Sequence, residues 1–172
     1  MEAVNSDGMN RAYARLETLT PLPTDCGQLC RKRCCKGREG AGMILFPGEN
    51  LGAPYTVRDE TVSGFPIGFA TCNGRCDRRT RPLGCRIFPF APYLDAEGVL
   101  AVIPDPRAKF MCPLLTESAL KTIDPQFLRA VEQVFTDLLE SAEDMRPMLS
   151  SYSKMLDDYI RFAGYKFESS FE

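Results

Sequence analysis

The sequence contains no histidine among its 172 residues. This absence excludes Ser-His-Asp and Cys-His catalytic pairs, the HExxH helix of metalloproteases, and every zinc site that mixes cysteine with histidine. A soft-metal site in this chain would therefore be built from cysteine thiolates, joined at most by a carboxylate or an exogenous ligand.

Long apolar runs are also missing. A membrane span needs roughly 18 consecutive apolar residues, and the apolar run MILF (43–46) is far shorter. The N-terminal residues lack the basic segment and following apolar segment that are typical of a signal peptide. We therefore expect a cytoplasmic protein with no membrane segment.

Cysteine, by contrast, is abundant. In a reducing cytosol, clustered cysteines are more often metal ligands or redox groups than disulfides. Four of them fall within CGQLCRKRCC (26–35), among basic side chains that make a poor apolar environment for inert buried thiols. The sequence therefore predicts metal ligation by all eight cysteines: Cys26, Cys30, Cys34, Cys35, Cys72, Cys76, Cys85 and Cys112.

The charge of the chain is unevenly distributed. Residues 26–86 carry eleven Lys/Arg and five Asp/Glu, a net charge of +6, whereas residues 113–172 carry a net charge of −5. A basic segment can indicate nucleic-acid binding, but aromatic residues are not interleaved with the basic ones in 26–38, as a stacking platform would require. Thiolates around a metal carry negative charge that nearby Lys and Arg would offset. We therefore disfavour nucleic acid as a partner.

The cysteine spacing leaves two kinds of metal site open. Pairs such as Cys26/Cys30 and Cys72/Cys76 have the separation of zinc ligands. Eight thiolates suffice for two Cys₄ zinc sites, which favours zinc, or for one [4Fe–4S] iron–sulfur cluster and a second site. The CxxxCxxC spacing of radical-SAM enzymes is absent, since its third cysteine would fall at Arg33.

Adjacent cysteines need separate consideration. Neighbouring side chains point in divergent directions unless the backbone is sharply bent. We therefore expect Cys34 and Cys35 to serve different ions or different edges of a cluster.

Charged residues near the second cysteine group have an electrostatic interpretation. Arg81 and Arg86 are predicted to donate N–H···S bonds to the thiolates and to neutralise their charge, rather than to be ordinary surface arginines. No acid–base constellation emerges, and catalytic residues stay unknown. Asp77, Asp95 and Glu49 are predicted to be solvated loop residues.

The segment CNGRCDRRTRPLGCRIFPF (72–90), taken with the first cluster, resembles the YkgJ-like cysteine-cluster family of zinc- or iron-chelating domains. Arg81-Pro82, Cys85-Arg86 and Phe88-Pro89-Phe90 match its RPxxCRxFPF pattern, and PGE (47–49) matches a feature after its first cluster. The resemblance covers about 26–113 and implies chelation of zinc or iron by the cysteines. It implies no settled activity.

Hydrophobic periodicity predicts an α+β fold that is mostly α, with few short strands. Helices are expected at 8–19, at 116–123 after Thr116, from Asp124-Pro125 to about Met145, and from Pro147 to Gly164. Strands are expected at MILF (43–46) and VLAVIP (99–104). The Gly- and Pro-rich stretch 47–92 is expected to have little regular structure and to be organised by metal.

Three segments follow from this pattern: an N-terminal helix and lead-in (1–25), a metal-binding cysteine-cluster domain (26–113), and antiparallel C-terminal helices (114–172) packed on it. We expect a metal-binding protein. The alternatives are an iron–sulfur oxidoreductase or electron-transfer partner, and an interaction module whose C-terminal helices bind a protein partner. Core packing is the favoured interpretation of their apolar stripe.

Overall fold

The structure, a computed structural model, describes residues 5–36, 40–71 and 77–162. These ranges form a mixed α+β fold, as predicted. The helices are α1 (Asp7–Arg15), α2 (Gly27–Cys30), α3 (Leu83–Ile87), α4 (Glu117–Leu120), α5 (Pro125–Ser141) and α6 (Met145–Phe162). The strands are β1 (Gly42–Ile44), β2 (Thr56–Val62), β3 (Phe65–Thr71), β4 (Phe90–Leu94) and β5 (Leu100–Pro104).

The strands form two antiparallel sheets, one with the order β1-β3-β2 and one that pairs β4 with β5. The β2–β3 hairpin closes through Ser63 and Gly64, whose φ values are +47° and +83°. Positive φ at both central residues defines the tight hairpin turn that matches strand twist. The expectation of little regular structure in 47–92 is thus wrong. Strand β2 exposes every residue but Val62, so it carries no apolar alternation for sequence analysis to detect.

The second hairpin was predicted only in part. Strand β5 lies within the predicted 99–104, and Gly98 closes the preceding turn by donating its backbone N–H to the Asp95 carbonyl oxygen at 3.0 Å. Strand β4 was not predicted, because four of its five residues are buried and the period-2 pattern is lost.

Helix starts follow their capping residues. Ser6 accepts from the Met9 backbone N–H at 3.2 Å at the start of α1, and Asp124 accepts from the Gln126 N–H at 2.8 Å at the start of α5. Helix α5 ends earlier than predicted, at Ser141, and α6 begins at Met145 rather than Pro147. Proline fits the first turn of a helix, so Pro147 need not mark its first residue. The predicted end at Gly164 lies outside the described residues.

One apolar core joins the helices to both sheets. The Phe46 ring packs edge-on against Phe135 and Tyr152, with centroid distances of 5.0 and 6.1 Å. The predicted packing of the α5 stripe is confirmed by five buried side chains: Phe127, Val131, Val134, Phe135 and Leu138. The core takes residues from each of the three predicted segments.

Helix α6 ends with two exposed aromatic side chains, Tyr159 at 46% and Phe162 at 94%. Among the described residues, no helix combines the length and apolar character needed to cross a membrane.

Candidate metal centre

Six of the predicted ligands line one pocket of about 80 Å³. They come from four places in the fold: the start and end of α2, the 3₁₀ turn Arg33–Cys35, helix α3, and the residue before the turn Pro113–Leu115. The six cysteines are Cys26, Cys30, Cys34, Cys35, Cys85 and Cys112. We call this the thiol pocket. The other two predicted ligands, Cys72 and Cys76, lie outside the described residues.

The first cluster is folded back on itself by two residues in the left-handed region. Arg31 and Lys32 have φ values of +54° and +56°, so the chain reverses between α2 and the turn at 33–35. Within the turn at 33–35, the Sγ atoms of Cys34 and Cys35 lie 4.0 Å apart. The two sulfurs are thus neighbours in this structure, and the assignment of Cys34 and Cys35 to different ions or cluster edges stays a prediction. Two sulfur ligands of one tetrahedral zinc ion lie about 3.8 Å apart.

The β4–β5 hairpin brings the later cysteines to the same pocket. Cys85 lies on α3, just before β4, and Cys112 lies just after β5 and the turn Pro106–Ala108. The hairpin register pairs Phe90 with Pro104, and the Asp105 backbone N–H donates to the Pro89 carbonyl oxygen at 2.8 Å. Residues that precede and follow a hairpin lie at its open end, so both cysteines line the same pocket although 27 positions separate them.

The positive charge of Arg81 lowers the pKa values of two cysteines of the thiol pocket. Arg81 lines the pocket, and its charge lowers the pKa values of both Cys26 and Cys35. For Cys26, burial outweighs this effect and raises the pKa, with further contributions from Cys112 and Asp25. Burial also raises the pKa of Cys112. The role of Arg81 in neutralising metal-bound thiolates stays a prediction.

Cys35 is a thiol of this cluster with a lowered pKa. The hydrogen bond shared with Cys34 lowers the pKa of Cys35 to about 6, and the charges of Arg81 and Lys32 act in the same direction. The same hydrogen bond raises the pKa of Cys34. Cys34 is exposed to solvent and Cys35 is half-buried, with their Sγ atoms 4.0 Å apart.

Arg86 is placed differently from Arg81. It is 5% exposed, its Nε donates to the Arg81 carbonyl oxygen at 2.9 Å, and its Nη2 donates to the Arg79 carbonyl oxygen at 2.7 Å. Its guanidinium lies 4.2 Å from the centroid of the Tyr13 ring. Arg86 therefore holds the backbone that presents Arg81.

One of the three acidic residues predicted to be solvated is not. Asp77 and Asp95 are exposed, but Glu49 is 6% exposed and its carboxylate is fully engaged by hydrogen bonds. The prediction for Glu49 is wrong because three donors from the surrounding backbone and Tyr13 replace its water. The only sequence signal was its place in PGE, directly after the buried Phe46.

The pocket also has an apolar wall that sequence analysis did not identify. Phe88, Pro89, Met111 and Leu114 line it beside the thiols. Apolar surroundings restrict water and strengthen the interaction of a thiolate with a cation.

The six cysteines of the described residues line one pocket, but their sulfur atoms are not arranged as the ligands of a metal ion. Within 5–36, 40–71 and 77–162, no group of three or more Cys, Asp or Glu side chains stands arranged to hold a metal ion. A change of χ1 rotamer moves a cysteine Sγ by about 3 Å, so sulfurs that line one pocket can approach one another over a fixed backbone. The donor chemistry of six thiols beside Arg81 fits a soft or borderline metal ion.

Searches of protein-family models, of curated proteins and of solved structures find no match to this chain. The resemblance to the YkgJ-like cysteine-cluster family therefore stays a prediction that rests on the residues quoted for it.

Proposed function

We propose that the chain is a metal-binding protein whose thiol pocket holds zinc through cysteine thiolates. The observation that carries this proposal is the convergence of six cysteines, spread from position 26 to 112, on one pocket lined by Arg81. Inert buried thiols would have no reason to share one small cavity with a guanidinium and Lys32.

Charge supports the same assignment. Four thiolates around Zn²⁺ leave a net charge of −2, which Arg81 and Lys32 would offset at the pocket. Both cations already lower the pKa of Cys35, and a lowered thiol pKa favours the ligating, deprotonated form. A closed set of thiolates gives zinc a structural role, since a catalytic zinc site keeps a position open.

The number of thiols makes iron–sulfur chemistry the second candidate. Six cysteines exceed the four that one tetrahedral zinc ion uses, and four thiolates also hold a [4Fe–4S] cluster. In that case the protein would be an electron-transfer protein or an oxidoreductase.

Metal content and visible absorption of protein purified without oxygen separate these functions. One or two zinc ions per chain and no visible band support the zinc proposal. Iron with acid-labile sulfide and a broad band near about 400 nm supports the cluster. Protein that carries neither metal, and takes up neither when reconstituted under reducing conditions, would overturn both.

The predicted organisation of the cysteine region by metal is part of this proposal. Chelation should loosen residues 26–112, because their short elements are tied together at the thiol pocket. It should spare α5 and α6, because their buried faces need no metal. Limited proteolysis with and without chelator, read beside the helical circular dichroism signal, tests both parts. Loss of the whole helical signal on chelation would contradict the second.

A further inference from the structure

The buried carboxylate of Glu49 joins three parts of the chain. The Glu49 Oε1 accepts hydrogen bonds from the Tyr13 hydroxyl at 2.5 Å and from the Leu83 backbone N–H at 2.6 Å. Its Oε2 accepts from the Phe46 backbone N–H at 3.0 Å. One side chain thus connects α1, the loop after β1, and the first residue of α3.

The hydrogen bond to Leu83 fixes the helix that carries Cys85. Helix α3 has five residues, too few to be stable by itself, so tertiary contacts determine where it lies. Pro82 is the N-cap residue of α3, and its side chain has no oxygen that could accept from the free backbone N–H groups of the first turn. Glu49 supplies that acceptor from 34 residues away, and Cys85 follows Leu83 by two positions.

The contact with Tyr13 extends the same network to Arg81. The Tyr13 ring carries the Arg86 guanidinium on its face, and Arg86 in turn holds the carbonyl groups of Arg79 and Arg81. Burial and the neighbouring Glu49 raise the pKa of Tyr13, so its hydroxyl stays a donor. Displacing Glu49 would release Tyr13, Arg86 and then the backbone of Arg81.

Burying the Glu49 carboxylate costs free energy, and its hydrogen-bond partners offset that cost. Burial raises the pKa of Glu49, while the hydrogen bonds from Leu83, Tyr13 and Phe46 and the charge of Arg86 oppose that shift. A buried carboxylate destabilises a fold when any of its partners is lost. Both ends of the network reach residues of the thiol pocket, Cys85 and Arg81.

We infer that Glu49 is a positioning residue of the thiol pocket: through Leu83 it sets the position of Cys85, and through Tyr13 and Arg86 it sets the position of Arg81. The inference deepens the proposed function, since it concerns the same pocket. It is tested first on thiol chemistry in the absence of metal, so that the two can fail separately.

The test compares Glu49→Gln with the wild-type chain in reduced, metal-free protein. The readout is the rate at which iodoacetamide alkylates each cysteine, measured by peptide mass spectrometry. The glutamine amide would face the three donors that contact Glu49, and an N–H group cannot accept their hydrogen bonds. Helix α3 should therefore unfold locally more often, and Cys85 should react about tenfold faster. A factor of ten corresponds to the loss of one hydrogen bond to a charged group.

Ser153→Ala is the matched control. It deletes another buried acceptor, the Ser153 hydroxyl that the Leu94 backbone N–H reaches at 2.8 Å, in residues that do not line the thiol pocket. A merely destabilising change would affect both variants alike, whereas positioning predicts an altered Cys85 rate in Glu49→Gln alone. Equal Cys85 rates in the wild type and in folded Glu49→Gln would overturn the inference.

Tyr13→Phe keeps the test decisive if Glu49→Gln does not fold. It removes one of the three hydrogen bonds to Glu49 but keeps the Leu83 contact and the ring under Arg86, so a smaller increase in the Cys85 rate, about threefold or more, is expected. An unchanged rate would overturn the inference.

Zinc titration of the same proteins separates the inference from the proposed function. An altered Cys85 rate with no zinc uptake by any variant supports positioning and rejects zinc. Unaltered thiol rates with tight zinc binding by all variants reject positioning and support zinc.

Discussion

Asp105 and Arg107 form a two-point ion pair on the turn after β5, with Asp105 only 1% exposed. Arg107 Nε donates to Oδ1 at 2.9 Å and Nη2 donates to Oδ2 at 2.6 Å, while Nη2 also reaches the Tyr152 hydroxyl at 2.5 Å. The pair therefore attaches the chain just before Cys112 to helix α6.

Replacing this carboxylate should be strongly destabilising. Asp105→Asn leaves the half-buried Arg107 guanidinium, 23% exposed, without its counter-ion, which costs about 3 kcal/mol of unfolding free energy. Chemical denaturation of the wild type and variant measures the difference. The control is Asp137→Asn, which breaks the exposed pair of Asp137 with Arg15 at 3.0 Å and should cost about 1 kcal/mol or less. Equal losses of unfolding free energy in the two variants would contradict the expectation that the buried Asp105 pair contributes more than the exposed Asp137 pair.

Removing one thiol of the pocket should weaken metal binding. In Cys85→Ser a hard hydroxyl replaces a soft thiolate, and we expect the apparent zinc affinity to fall about 100-fold or more, beyond what loss of a supporting contact gives. Competition with a chromophoric chelator measures the affinity. Ser118→Ala, at an exposed residue of α4, should bind like the wild type. Wild-type affinity in Cys85→Ser would show that this thiol is not a ligand.

The reactivity of Cys35 should depend on pH in a distinctive way. Its pKa is lowered to about 6, so its thiolate fraction, and with it the alkylation rate, should rise through about pH 6 and level off above pH 7. An ordinary cysteine, with a pKa of about 8.5, still gains reactivity at pH 8. Site-resolved alkylation of reduced, metal-free protein between about pH 5 and pH 9 gives the profile.

Arg81→Gln should move the Cys35 profile to higher pH, and Arg81→Lys should largely restore it, because the charge rather than the shape of the side chain lowers the pKa. A wild-type Cys35 midpoint at pH 8 or above would refute the proposed role of Cys34 and Arg81.

The left-handed residues of the first cluster make a glycine substitution favourable. Arg31 caps the end of α2 at φ +54°, a conformation that costs an ordinary residue about 1–2 kcal/mol and glycine almost nothing. After the entropy that glycine loses on folding, Arg31→Gly should stabilise the chain by about 0.5–1 kcal/mol. Arg33→Gly, in the 3₁₀ turn, lacks this benefit and should be neutral or destabilising. Chemical denaturation gives the unfolding free energy of both variants. A lower value for Arg31→Gly than for Arg33→Gly would contradict this expectation.

The elements that could be predicted are those whose signal is local. The α5 stripe and the Asp124-Pro125 start are visible in consecutive residues, and so is the concentration of cysteines at 26–35. The grouping of Cys85 and Cys112 with that cluster is not local. It depends on the β4–β5 hairpin, half of which is buried on both faces and therefore shows no alternation.

The features that were missed depend on partners distant in sequence. Strand β2 is polar and becomes a strand through its ladder with β3. Glu49 looks like a loop carboxylate until Tyr13 and Leu83, 36 and 34 positions away, supply its donors. Single-residue patterns carry no information about such pairings.

The thiol pocket has a further consequence for the time course of protein synthesis. A ribosome delivers CGQLCRKRCC first, and Cys112 leaves it only after 77 more residues than Cys35. At roughly 5–20 residues per second, the first four thiols wait several seconds for the walls of their pocket. During that interval the first four cysteines lie in an unfolded basic segment. Their thiols are then accessible to metal ions and to oxidants before the thiol pocket exists.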